Sequence, residues 1–150
     1  MIKDNRGVTF IELIIVISIL SLLLIIPVLK SSYLVNYKER QELMEFKKDL
    51  NFARNRAIVE SKLYGVQIRP DKTYLIIKYD RNPEIIKRKE LDSALRIKST
   101  NIGGNEVVFT YSGTPKEAGT IFLENQKGRE IKITITPATG KINIYYDQEG

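Results

Sequence analysis

One carboxylate stands where few are found. Across residues 8–29 the only charged side chain is Glu12, and from residue 13 to residue 29 there is none. These 22 residues would rise about 33 Å as a helix, which matches a hydrocarbon core of roughly 30 Å. A carboxylate well inside a bilayer costs about 2.5–3.5 kcal/mol on insertion scales, so such a group usually has a partner and a task. Other chemistry-bearing side chains are scarce. The chain has no cysteine, which excludes disulfides, thiolate metal sites and a cysteine nucleophile. It has no histidine, which removes His-based triads, most zinc sites and the usual general base near neutral pH. A Ser–Lys dyad could come only from Ser61-Lys62 or Lys30-Ser31, and neither carries a supporting motif. The residues point away from catalysis, and no metal or cofactor is expected.

The element that must position Glu12 is the apolar helix itself. Two plain readings of it exist. A secretory signal peptide shares the basic start (Lys3, Arg6), but its apolar core is about 7–15 residues and ends at a small-x-small site. Here the run is longer and Lys30-Ser31-Ser32-Tyr33 offers no such site. An ordinary membrane anchor, with Glu12 near the headgroups, is the second. The net charge is +6, of which residues 1–7 hold +1 and the remainder +5 by side chains. Positive-inside bias then puts residues 1–7 in the cytoplasm and the bulk of the chain outside it, although Lys30 and Lys38 weaken the bias.

A short basic leader, Gly7, the apolar Val8, Thr9-Phe10-Ile11-Glu12-Leu13 and a long aliphatic helix together resemble the N-terminus of type IV pilins and pseudopilins. In that family a prepilin peptidase cuts after the glycine and methylates the new first residue. The resemblance implies cleavage between Gly7 and Val8, N-methylation of Val8, and a filament-assembly role for Glu12. It also implies other pilin subunits and an inner-membrane assembly platform as partners. Val8 departs from the phenylalanine most common at that position. The offsets make chemical sense. Gly7 presents a bare backbone that can enter a protease cleft in an extended form. Cleavage creates a cationic amine at Val8, and in packed helices the Glu12 carboxylate of one subunit can meet a neighbour's amine. Such a pair offsets part of the burial penalty and fixes axial register more than it adds stability.

Further along, Ser18 and Ser21 are expected to bond back to carbonyls one turn earlier, and Pro27 to bend the helix. Residues 31–62 stay helical in character. Leu43, Phe46, Leu50, Ala53 and Ala57 step by three and four and line one face, as of a helix packed on a sheet; an exposed coiled coil is the alternative. After Tyr64-Gly65 the periodicity becomes that of strands. Residues 63–69, 73–79, 106–111, 120–124, 130–136 and 141–146 read as strands, with Pro70-Asp71-Lys72 as a turn. Residues 84–105 suggest one or two weak strands. The expected fold is α+β: a long N-terminal helix, membrane-spanning in its first half, packed on an antiparallel β-sandwich. The division is a leader (1–7), a span (8–29), an amphipathic continuation (30–62) and an extracytoplasmic β-rich domain (63–150).

Residues 50–58, the run Phe109-Thr110-Tyr111-Ser112-Gly113 and the hairpin Thr139-Gly140-Lys141-Ile142 resemble the GspH/FimT group of minor pseudopilins and pilins. That resemblance implies a structural subunit of a type II secretion pseudopilus or type IV pilus, at or near the filament tip, first anchored in the cytoplasmic membrane. Some relatives take up DNA in competence. Lys87, Arg88, Lys89, Lys127 and Arg129 are the candidate contacts for it, since positive surface supplies sequence-independent affinity. Solvated lysines are the commoner explanation of such residues, and the acidic C-terminus departs from the basic tail that carries DNA in some relatives.

Overall fold

Thr9 opens the helix. Its Oγ1 accepts from the Glu12 amide at 3.4 Å and its carbonyl from the Leu13 amide at 3.2 Å, which satisfies first-turn donors that have no partner within a helix. The helix, α1, runs Phe10–Glu60. The computed structural model describes residues 9–70, 72–92 and 94–146, without the side chains of residues 23–35. The chain divides into two compact units, Met1–Tyr37 and Lys38–Gly150.

In the first unit the large apolar side chains of residues 10–22 are all exposed, Phe10 at 78%. The Ser18 and Ser21 hydroxyls donate to the carbonyls of Ile14 and Ile17, each at 2.8 Å, as expected of hydroxyls in an apolar helix. Among the described residues no helix is long and apolar enough to cross a membrane. Side-chain description within the apolar run stops at Leu22, so the span over residues 23–29 and the bend at Pro27 lie outside it.

In the second unit the helical stripe is buried as its spacing requires: Leu43, Phe46, Leu50, Ala53 and Ala57 are at most 1% exposed. The helix ends in a hydrogen-bonded C-cap. Ser61 takes φ 53°, the Lys62 amide donates to the Ala57 carbonyl at 3.2 Å and the Ser61 amide to that of Ile58 at 3.4 Å.

Among the described residues eight strands follow: β1 (Leu63–Ile68), β2 (Thr73–Tyr79), β3 (Glu84–Glu90), β4 (Leu95–Thr100), β5 (Glu106–Phe109), β6 (Gly119–Asn125), β7 (Glu130–Ile135) and β8 (Ile142–Tyr146). They form two four-stranded sheets, β3-β2-β1-β5 and β4-β6-β7-β8, and every pairing is antiparallel. The ambiguous stretch therefore holds two strands, one at an edge of each sheet. Gly103–Asn105 is a short 3-10 turn.

One core joins the three layers. The stripe of α1 meets Tyr64, Val66, Ile76 and Phe109 from the first sheet and Ile121, Leu123, Ile131 and Ile133 from the second. Alternate residues supply it, as in the buried Ile131, Ile133 and Ile135 of β7. The Phe46 and Tyr74 rings pack at 4.7 Å between centroids, tilted by 54°. Ala53 and Ala57 let the helix backbone approach closely where larger side chains would hold it away.

Candidate assembly site

Glu12 sits in the first turn of α1, where a negative charge is favoured by the helix dipole, and no described side chain pairs with it. Its surroundings are the exposed Phe10, Ile11, Leu13, Ile15 and Val16. Gly7 and Val8 lie outside the described residues.

Glu42, Glu45, Asp49 and Glu60 form a second polar arrangement, along the side of α1 that meets the β-domain. The first three each directly precede a member of the buried stripe. Asp49 accepts from the Tyr74 hydroxyl at 2.6 Å and from Lys87 Nζ at 2.7 Å. Glu45 pairs with Lys89 at 3.0 Å and more distantly with Lys87 at 3.6 Å. The hydrogen bond from Lys89 holds the Glu45 carboxyl below its usual range. Glu60 takes Lys78 at 2.7 Å and the Tyr64 hydroxyl at 2.8 Å. Burial, reinforced by the bond to Asp49, pushes the Tyr74 phenol far up. Glu42 accepts from the Asp92 amide, and burial raises its carboxyl to about 7.

Two of the candidate DNA contacts take part in these bonds. Lys87 and Lys89 project from β3 onto the acids of α1 and serve to dock that edge strand. Arg88 is exposed between them. Lys127 and Arg129 lie at the β6–β7 turn of the other sheet, where their amides donate to Asn125 Oδ1 at 3.0 and 2.8 Å. The five bases thus belong to two different sheets. The acids that receive Lys87 and Lys89 are Glu45 and Asp49, and the sequence analysis singled out neither.

The three segments on which the subgroup resemblance rested come together at Arg54. Its Nε donates to the Gly113 carbonyl and its Nη2 to the Thr139 carbonyl, both at 3.0 Å. Gly140, at φ 61°, lies against the Gly113 backbone, so a side chain there would meet both strain and main chain. Of the dyad candidates, Lys62 pairs with Asp80 beside the helix end, and the Lys30 and Ser31 side chains lie outside the described residues. Among the described residues no group of His, Cys, Asp or Glu could hold a metal ion.

The sequence matches the profile of the type II transport protein GspH over residues 42–139, and that of the prokaryotic N-terminal methylation motif over residues 2–26. Among curated proteins none matches the chain by sequence. The fold is similar to that of the minor pseudopilin EpsH from the type 2 secretion system of Vibrio cholerae. The TM-score is 0.61 at 13% identity, over 73% of this chain and 97% of that one. It is also similar to the type IV minor pilin FimU of Pseudomonas aeruginosa, with TM-score 0.59 at 18% identity, over the same 73% and 97%.

Proposed function

The chain belongs to the GspH family of type II transport proteins, and we propose that it works as a processed, membrane-anchored subunit that is drawn into a filament. It is a minor pilin or pseudopilin, a structural subunit of a type II secretion pseudopilus or type IV pilus. In this reading prepilin peptidase cuts between Gly7 and Val8 and methylates Val8. Residues 8–29 then hold the subunit in the cytoplasmic membrane, with the β-rich domain of residues 63–150 on the far side. Glu12 meets the Val8 amine of a neighbouring subunit as the filament assembles, and the subunit acts at or near the tip.

The observation that carries this reading is the methylation motif over residues 2–26, which surrounds a first helical turn holding a carboxylate with no side-chain partner among the described residues. In apolar surroundings the attraction between amine and carboxylate is strong, and either charge alone is costly, so an out-of-register subunit is penalised. Mass spectrometry of the membrane form should show loss of residues 1–7 and one added methyl group. An intact N-terminus in cells that own the peptidase would instead indicate a plain single-pass anchor. Glu12→Ala should still be processed yet fall out of purified filaments, and assembly equal to that of the unmutated chain would refute the role of Glu12.

A further inference from the structure

Charge is sorted across α1 in the second unit. Its acids, Glu39, Glu42, Glu45, Asp49 and Glu60, all bond to the β-domain, Glu39 through Asn125 Nδ2 at 3.0 Å. The opposite face carries Arg40, Met44, Lys48, Phe52 and Arg56, an i+4 ridge in which basic and apolar residues alternate, and it ends beside Val59. All of these are exposed, Met44 at 44%, Phe52 at 36% and Val59 at 77%. Arg56 lies over the Phe52 ring at 5.3 Å and pairs with Glu60 at 2.9 Å. Arg40 and Lys48 have no side-chain partner among the described residues.

We infer that this outward face docks an acidic helix of a different subunit. The inference rests on the filament reading above and adds the partner's chemistry. A ridge of i+4 residues fits the groove of another helix, with Met44, Phe52 and Val59 as the apolar knobs. Arg56 already has Glu60, but Arg40 and Lys48 need carboxylates opposite. A second copy cannot provide these along the same ridge, because it would set Arg40, Lys48 and Arg56 against their equals, and like charges reject a wrong partner. A bilayer surface fits poorly, since Lys48 interrupts the apolar face that an interfacial helix would bury. Nucleic acid would leave Met44 and Val59 without a role.

The chain has no cysteine, so Met44→Cys gives a unique thiol for a photo-crosslinker in the full-length protein, in cells carrying the complete machine. The expected adduct is a different pilin-like subunit, mapped by peptide sequencing to a helix bearing Asp or Glu at helical spacing. Arg40→Glu with Lys48→Glu should cut the adduct about tenfold, the order expected when exposed charge pairs turn into repulsions. Reversing the mapped acids on the partner should restore it. Neither base makes a bond within the described chain, so thermal melting of the double variant should be unchanged. An adduct with a second copy, with lipid or with nucleic acid overturns the inference. So does indifference to the charge reversal in a chain that has lost residues 1–7 and entered the filament, and that result leaves the filament reading intact. An unprocessed chain overturns both.

Discussion

Glu42 is the side chain least at ease in its surroundings. It is 8% exposed, one oxygen accepts from the Asp92 amide, and Oε2 has no hydrogen-bond partner among the described residues. Burial lifts its carboxyl from 4.5 to about 7, with the nearby Asp92 charge adding to the rise. The folded state therefore binds this proton more tightly than the unfolded chain. Stability from this group is complete below about pH 4.5 and is lost as pH rises to about 7. Glu42→Gln keeps an acceptor for the Asp92 amide and removes the titration. Urea melts of this variant should lose most of the decline over that window, with a gain at pH 8 of up to about 3 kcal/mol. This behaviour was hidden in the sequence. An acid beside a buried stripe looks like an ordinary boundary residue until a segment some 50 positions away covers it.

At the level of helices and strands, legibility followed periodicity. The buried stripe of α1 and the alternation in β7 were plain because each presents one apolar face to one core. β3 was not, since most of its residues are exposed and Lys87 and Lys89 replace apolar side chains on the docked face. The turn Pro70-Asp71-Lys72 was read from its residues, and the bond from the Arg69 amide to the Thr73 carbonyl at 2.8 Å closes it. Arg54 escaped notice because both its acceptors are carbonyls far along the chain. It links α1 to the loop before β6 and to the turn before β8, so Arg54→Ala should destabilise the domain by about 2 kcal/mol in denaturant unfolding. Arg54→Lys should recover less than half of that, because a single ammonium cannot serve two separated carbonyls as the planar fork does.

For the chain as a whole, a net charge of +6 invites a nucleic-acid reading, yet several of the bases are paired. Lys62, Lys78, Lys87, Lys89, Arg96 and Lys98 are matched to carboxylates within the second unit. The purified full-length chain should accordingly bind duplex DNA no more tightly than about 1 µM at physiological salt, as ordinary non-specific binders do. Filter binding at two salt concentrations checks this, and a sub-micromolar constant with a steep salt slope would favour DNA uptake. The same matching means that Lys87→Ala should loosen β3 from α1 and lower the melting temperature. The family and its fold were legible from fixed offsets at the N-terminus and from three short segments that the fold gathers around one arginine. The identity of neighbouring subunits was not, because it lies in surfaces that complement other chains.

Gly65, in the middle of β1, has a consequence for how tolerant this domain is to sequence drift. The Tyr79 hydroxyl reaches over it to Glu106 Oε1 at 2.5 Å, joining the strands on either side, and a β-carbon at Gly65 would lie 2.8 Å from the tyrosine ring and closer still to the glutamate. Both contacts are with the outer ends of flexible side chains, so alanine at 65 displaces Glu106 and breaks its bond to Tyr79, whereas a β-carbon at Gly140, held at φ 61°, would lie 2.1 Å from the Gly113 carbonyl oxygen. A saturation library selected for export or assembly should therefore keep alanine at codon 65 more readily than at codon 140.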